Sequence, residues 1–254
     1  MEQRSNEWQR ARLGKITASE IYNLMKDRKE AMTEEELAAF KAANPKSRVT
    51  TKVVPFSDAT FTYLNRKVME NYLPLNSESM DAINAVNEYI EEHSIQNSAM
   101  RYGTLWEDSA RERYAEEMGY EIEQVGFITY DKYPNLVGVS PDGLNKTKNG
   151  GCEFKCPFTL EKHLQHLMYQ TPQDLKENEE EYYWQCYANM LVTGRGFWDF
   201  CSFNPYISYS KQMKVLRIHR EESEIELLAT RIDLAVDYMR TKMQELDDVD
   251  KIIK

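Results

Sequence analysis

The chain has 254 residues, enough for one sizeable core, and 41% hydrophobic residues with 11% aromatics place it among globular rather than disordered proteins. Its net charge of −10 argues against indiscriminate coating of nucleic acid, but residues 1–67 carry 13 Lys/Arg against 9 Asp/Glu, so a nucleic-acid site would need a local basic lining. No apolar run reaches the length of a membrane span, the polar N-terminus has no secretory core, and the four cysteines lack zinc or disulfide spacing, so a cytoplasmic protein with reduced thiols is expected.

In chain order the pattern is helical first and mixed afterwards. A helix is predicted over 17–28, capped by Thr17 or Ser19 with Glu20 in its first turn. Thr33, with Glu36 three positions on, makes a capping box for a helix over 33–43. Residues 44–57 are polar, basic and proline-punctuated and read as a loop. Helices over 58–72 and 79–93 follow, then a loop over 94–103. Residues 104–118 form a strong helix stopped by Gly119. There the period changes. Val125–Tyr130, Leu136–Ser140 and Gly151–Cys156 are β-like. Residues 159–169 turn helical, and Glu179–Thr193 is a helix ended by Gly194. Phe197–Phe203 and Met213–Ile218 are strands. A long helix over 221–246 carries Ile225, Leu228, Ile232 and Met239 on one stripe. The expected class is α/β: a small mixed sheet flanked by helices, with a helical N-terminal portion and a long C-terminal helix.

Two stretches carry the chemistry: Ser140-Pro141-Asp142-Gly143-Leu144 and Glu153-Phe154-Lys155-Cys156-Pro157. The first is turn chemistry that presents a carboxylate at a strand end. In the second, residues i and i+2 of a strand share a face, so Glu153 and Lys155 project together with Phe154 opposite. If the two segments pair as a hairpin, Asp142 comes beside Glu153. Two close carboxylates make a hard-oxygen site suited to Mg²⁺ or Mn²⁺, and a lysine beside them can activate water. Phosphodiester hydrolysis needs that combination. A lone Glu-x-Lys has a plainer reading, a hairpin with solvated charges. Apolar Phe154 and the strand-stopping Pro157 instead describe a strand that enters a core and is then halted.

This pattern, within an α-β-β-β-α-β order, resembles the PD-(D/E)xK nucleases. Further stretches agree in order: Trp8-Gln-Arg-Ala-Arg-Leu-Gly-Lys-Ile-Thr-Ala-Ser19, Tyr102-Gly-Thr-Leu-Trp-Glu107-Asp-Ser-Ala-Arg111, Gly138 to Leu144, and Tyr182-Tyr-Trp-Gln185 leading to Val192-Thr-Gly-Arg195. With them the chain resembles the lambda exonuclease family of phage recombination nucleases, the YqaJ type. Residues 28–60 and 76–98 match nothing in that pattern and read as insertions in a single domain spanning 1–254.

The resemblance implies roles position by position. Asp142 and Glu153 would ligate two Mg²⁺ (or Mn²⁺) ions, with the Phe154 backbone carbonyl as a further ligand. Lys155 would orient or activate the attacking water. Glu107 would support the metal site, as a ligand or from beside it. Gln185 would touch the water or the phosphate. Arg12, Ser19 and Ser140 would form a pocket for a 5′-terminal phosphate. The implied activity is 5′-to-3′ degradation of duplex DNA ends, leaving 3′ single strands. The implied partners are a phage single-strand annealing protein and two further copies in a homotrimeric ring, in the host cytoplasm, with no membrane. Two other readings stay open: an endonuclease or repair nuclease of different polarity, and a non-catalytic DNA-end-binding module.

The residue chemistry also allows plainer roles. Glu107 suits a solvated helix face, Gln185 an amide satisfied by backbone, Arg12 a surface ion pair, Ser19 an N-cap and Ser140 a turn. His93, His163, His166 and His219 form no ligand pattern with Cys152, Cys156, Cys186 and Cys201, so no iron–sulfur cluster is expected. Tyr182, Tyr183 and Trp184 suit base stacking or a helix-start staple.

Overall fold

The computed structural model describes residues 3–93 and 97–253. Helix α1 (Asn6–Arg12) starts at Ser5, whose side chain accepts from the Trp8 amide. Strand β1 (Ile16–Thr17) then leads into a 3₁₀ helix, Ala18–Met25. This corrects the α-helix expected over 17–28. Ala18, Ile21 and Leu24 are buried at a spacing of three, which suits three residues per turn, and Thr17 makes no side-chain cap.

The chain next forms β2 (Asp27–Ala31), α2 (Glu34–Ala43) and β3 (Thr51–Pro55). β2 and β3 pair antiparallel, from Asp27 opposite Pro55 to Ala31 opposite Thr51. The loop expected over 44–57 therefore contains a strand. Both strands are largely exposed, so no apolar alternation announces them. The Thr33–Glu36 capping box of α2 is present.

Helices α3 (Asp58–Glu70) and α4 (Met80–His93) lie where expected. Helix α5 (Ser98–Met118) begins earlier than position 104 because Asn97 caps it, accepting from the Met100 amide. The expected loop over 94–103 is thus corrected from Ser98 onward, and its residues 94–96 lie outside the described residues. Gly119, at φ 64, ends α5 in the left-handed region.

Short strands follow: β4 (Ile122–Glu123), β5 (Ile128–Thr129), β6 (Val137–Val139), β7 (Gly143–Asn145) and β8 (Gly150–Lys155). Then come α6 (Leu160–Met168), α7 (Pro172–Asn178) and α8 (Glu180–Thr193), the last closed by Gly194 at φ 68. β9 (Phe197–Phe203), α9 (Tyr209–Gln212), β10 (Met213–His219) and α10 (Glu222–Ile253) complete the fold.

The main sheet has the order β10-β9-β8-β7-β4, with β8 and β9 parallel and the other pairs antiparallel. A smaller sheet, β1-β6-β5, lies beside it. The class is α/β, with a small mixed sheet and a long C-terminal helix, as expected from the sequence.

The pleat of β8 decides what each face of the sheet becomes. Cys152 and Phe154 pack with Ala110 and Tyr114 of α5, together with Cys201, Phe203 and Met213. The alternate residues, Glu153 and Lys155, face α8. On that same side the larger core forms from Trp184, Tyr187, Trp198, Phe200 and Ile218. Helix α10 buries Ile225, Leu228, Ile232 and Met239 there. Burial of each such side chain contributes about 1.5–3 kcal/mol. Two rigid layers therefore clamp the strand that carries Glu153 and Lys155.

Candidate active site

Asp142 lies at the head of β7, and the antiparallel register pairs Gly143 with Cys152. This sets Asp142 opposite Glu153. The Phe154 amide donates to Asp142 Oδ2 at 2.7 Å, fixing that carboxylate over the β8 backbone. Glu153 is 2% exposed and both its oxygens are held. Oε1 accepts from Lys155 Nζ at 2.8 Å and from Gln185 Nε2 at 2.6 Å. Oε2 accepts from Asn189 Nδ2 at 3.3 Å. Gln185 Oε1 in turn accepts from Lys155 Nζ at 3.1 Å. The Lys155 ammonium also stands 4.5 Å above the Tyr182 ring, and Tyr182 stacks on Phe200.

Charge is concentrated here. Burial, with Glu153 and Glu107 nearby, pushes the Asp142 carboxyl well above the usual range. Burial alone would lower the Lys155 pKa, but Glu153, Tyr182 and Asp142 together take it above its ordinary value. Lys155 is therefore held as an ammonium beside an Asp142 carboxyl whose ionised form burial disfavours.

Glu107, on α5, is buried beside this pair. Its Oε1 accepts from Arg111 Nη2 at 2.9 Å, and its Oε2 is paired with Arg4. Arg111 Nε also donates to the Asp142 backbone carbonyl at 3.3 Å. Arg111 therefore couples α5 to the turn that carries Asp142.

A second cluster forms where α1, the 3₁₀ helix and the β6–β7 connection meet. Arg12 donates to Ser140 Oγ at 3.3 Å and to Ser19 Oγ at 3.1 Å. Trp8 donates to the same Ser140 hydroxyl at 2.9 Å, and its ring lies 4.2 Å from the Arg12 guanidinium. Among the described residues no carboxylate forms an ion pair with Arg12. Burial lowers its pKa from the usual value, against the pull of Glu20, Tyr63 and Glu153. A desolvated guanidinium held by hydroxyls and an indole is prepared for an anion.

Both clusters open into one cleft of about 1010 Å³, lined by Arg12, Ser19, Ser140, Asp142, Glu153, Lys155 and Gln185 among others. The structure thus brings together every site residue named from the sequence: Asp142, Glu153, Lys155, Gln185 and Glu107 at one end, Arg12, Ser19 and Ser140 at the other. Sequence reading missed Asn189, Trp8, Arg4 and the place of Tyr182 beneath Lys155. One signal was present: Asn189 is one helical turn beyond Gln185 and shares its face.

The donor set fits a divalent ion. Among the described residues no three His, Cys, Asp or Glu side chains form a ready-made cage. Asp142 and Glu153 supply hard oxygens on two sides only, which suits a cation that keeps waters and takes its remaining ligands from backbone and substrate phosphate. Among the described residues the histidines and cysteines form no group of three or more that could hold a metal. His163 and His166 are buried and both bond Ser202 Oγ, at 2.9 and 2.8 Å. The cysteines sit in β8, just after it, in α8 and in β9 as free buried thiols, with burial pushing Cys156 up to about 12 and the others well above the ordinary value. Among the described residues no helix is long and apolar enough to cross a membrane.

Comparison with known proteins places the chain. Its fold is similar to that of LHK-Exo, solved in complex with dAMP, at a TM-score of 0.69 and 24% identity over 98% of this chain and 100% of that one. A second structure of the same alkaline exonuclease from Laribacter hongkongensis gives a TM-score of 0.68 at 23% identity, again over 98% and 100%. A phage-related exonuclease from Haemophilus somnus 129PT gives 0.59 at 12% identity over 91% and 96%. A search of curated proteins finds no match. Residues 7–196, which include both clusters, match the profile of the YqaJ-like viral recombinase domain, and the chain belongs to that family.

Proposed function

We propose that this protein is a metal-dependent 5′-to-3′ exodeoxyribonuclease that resects duplex DNA ends and leaves 3′ single strands for phage-type recombination. The observation that carries this reading is a single cleft holding an anion cradle (Arg12, Ser19, Ser140) beside a carboxylate pair with its lysine (Asp142, Glu153, Lys155). A terminal phosphate held at one end sets which phosphodiester reaches the other.

Asp142 and Glu153, with the Phe154 carbonyl and Glu107 beside them, would hold two Mg²⁺ ions, or Mn²⁺. Bound there, such ions would supply Lewis-acid polarisation of a phosphate and a lowered pKa for water. The chain's own groups do the rest. Arg12 and the two serine hydroxyls bind the terminal 5′-phosphate, and Trp8 holds the guanidinium in place. Lys155 Nζ orients the attacking water, and Gln185 fixes the lysine and Glu153 relative to each other. Attack at phosphorus expels the 3′ oxygen of the terminal nucleotide. The shortened strand then ends in a new 5′-phosphate, which is again a ligand for the cradle, so the product of one cycle is the substrate of the next. That LHK-Exo was solved with dAMP is in keeping with mononucleotide release. A single-strand annealing protein would take up the exposed strand, and a homotrimeric ring would keep the enzyme on DNA.

The test is digestion of end-labelled duplexes with and without Mg²⁺. We expect a linear 5′-phosphorylated duplex to be degraded only with the ion, the 5′-hydroxyl form to be degraded more slowly, and a closed circle to survive. Degradation of the circle would replace the exonuclease reading with an endonuclease.

A further inference from the structure

Asn189 lies on α8 one turn after Gln185 and is 0% exposed. Its Nδ2 donates to Glu153 Oε2 at 3.3 Å. Its Oδ1 is buried with no hydrogen-bond partner among the described residues. A buried orphan carbonyl is unfavourable, and an apolar side chain of similar size would avoid it. The amide cannot simply turn over, because the swap would set Oδ1 against a carboxylate oxygen. The helix core thus retains a polar group at a cost in stability, and among the described residues its side chain bonds Glu153 alone.

Glu153 is reached from α8 by two amides four residues apart. Gln185 holds Oε1 together with Lys155, and Asn189 holds Oε2. A carboxylate seized at both oxygens has one rotamer. Hydrogen bonds of this kind orient a metal ligand before the ion arrives, so that binding need not include the ordering of the side chain. On the nuclease reading proposed above, we infer that Asn189 is a positioning residue for the metal site: it fixes the Glu153 carboxylate and thereby sets the affinity for the divalent ion. It touches neither DNA nor the reacting atoms.

The test is Mn²⁺ uptake by the DNA-free protein, followed by loss of the free-ion paramagnetic resonance signal, in wild type, Asn189→Leu and Asn189→Ala. Thermal melts in chelator report folding. We expect both variants to fold and to need about 10- to 100-fold more Mn²⁺ for half-saturation. In hydrolysis assays the half-saturating metal concentration should move more than kcat. Unchanged Mn²⁺ uptake in a folded variant overturns the inference and leaves Asn189 as a packing residue. If Asn189→Leu does not fold, Asn189→Ala, which can admit a water, decides by the same measure. Asp142→Ala separates the two levels. Wild-type uptake that is lost in Asp142→Ala but kept in the Asn189 variants removes only the role of Asn189. Wild-type protein that takes up no Mn²⁺ either alone or with a duplex end bound removes the nuclease reading with it.

Discussion

The Lys155 ammonium meets the Glu153 carboxylate, the Gln185 carbonyl and the Tyr182 ring at once. Shortening it to Lys155→Ala should lower hydrolysis by about 10²–10³-fold, as removal of a preorganised charged donor at the reacting centre does, while duplex binding persists. Gel-shift and rate measurements on one preparation check both halves. Arg12 acts on a different quantity. Charge-assisted bonds contribute about 1.5–3 kcal/mol, so Arg12→Ala should reduce the preference for 5′-phosphate over 5′-hydroxyl by about 10- to 100-fold and leave the rate on 5′-hydroxyl ends little changed. An unchanged ratio would remove Arg12 from the cradle. At this scale much was legible beforehand. That Asp142, Glu153 and Lys155 lie together follows from their residue types and spacing, and Arg12, Ser19 and Ser140 sit in stretches with a family pattern. Arg4 was not legible, and for Trp8 and Asn189 only their positions were, in a family stretch and one turn after Gln185, because nothing in an indole, an amide or a surface arginine states which distant group it will touch. Those partners exist only after β7, β8, α1 and α8 have packed.

Among the elements, α8 is the one on which the site depends, since it carries Tyr182, Gln185 and Asn189. Its N-terminus is tied to α6 through Glu179, which bonds His166 at 2.9 Å and pairs with Lys162. Burial alone would raise the Glu179 pKa, but the bonds from His166 and Lys162 bring it below its ordinary 4.5. The sign follows. The folded state holds the proton less tightly than the unfolded state, so this tie contributes stability above pH 4.5 that is lost as pH falls through that value and below. Melting curves of wild type and Glu179→Gln should therefore differ at pH 6–7 and converge toward pH 3. A gap that stays constant with pH would show that the Glu179 charge is not what holds the tie. The elements themselves were unequally readable. α2, α3, α8 and α10 follow from caps, terminal glycines and apolar stripes. The β2–β3 hairpin did not, because Asp27–Ala31 faces solvent and its order comes from backbone pairing alone. The 3₁₀ helix was read as an α-helix because both periods bury Ala18, Ile21 and Leu24 on one side.

For the molecule as a whole, the net charge of −10 and a DNA substrate are reconciled in the cleft. Arg4, Arg12, Arg66, Lys67, Lys155 and Lys162 face Glu20, Glu70, Glu107, Asp142 and Glu153 there, so the lining is close to neutral and the proposed divalent ions would make it positive. Duplex-end affinity of the Lys155→Ala protein should accordingly be at least about tenfold higher in Mg²⁺ than in chelator, and should fall as monovalent salt rises. Equal affinity in both would mean that the protein binds DNA without its ions. The proposed hydrolysis depends on Asp142 and Glu153 gripping a divalent cation together. A crystal soaked in Mn²⁺ and measured at the manganese edge tests this. An anomalous peak about 2.0–2.2 Å from carboxylate oxygens of both residues is the expected result. Two well-ordered carboxylates turned apart, with no peak between them, would contradict it.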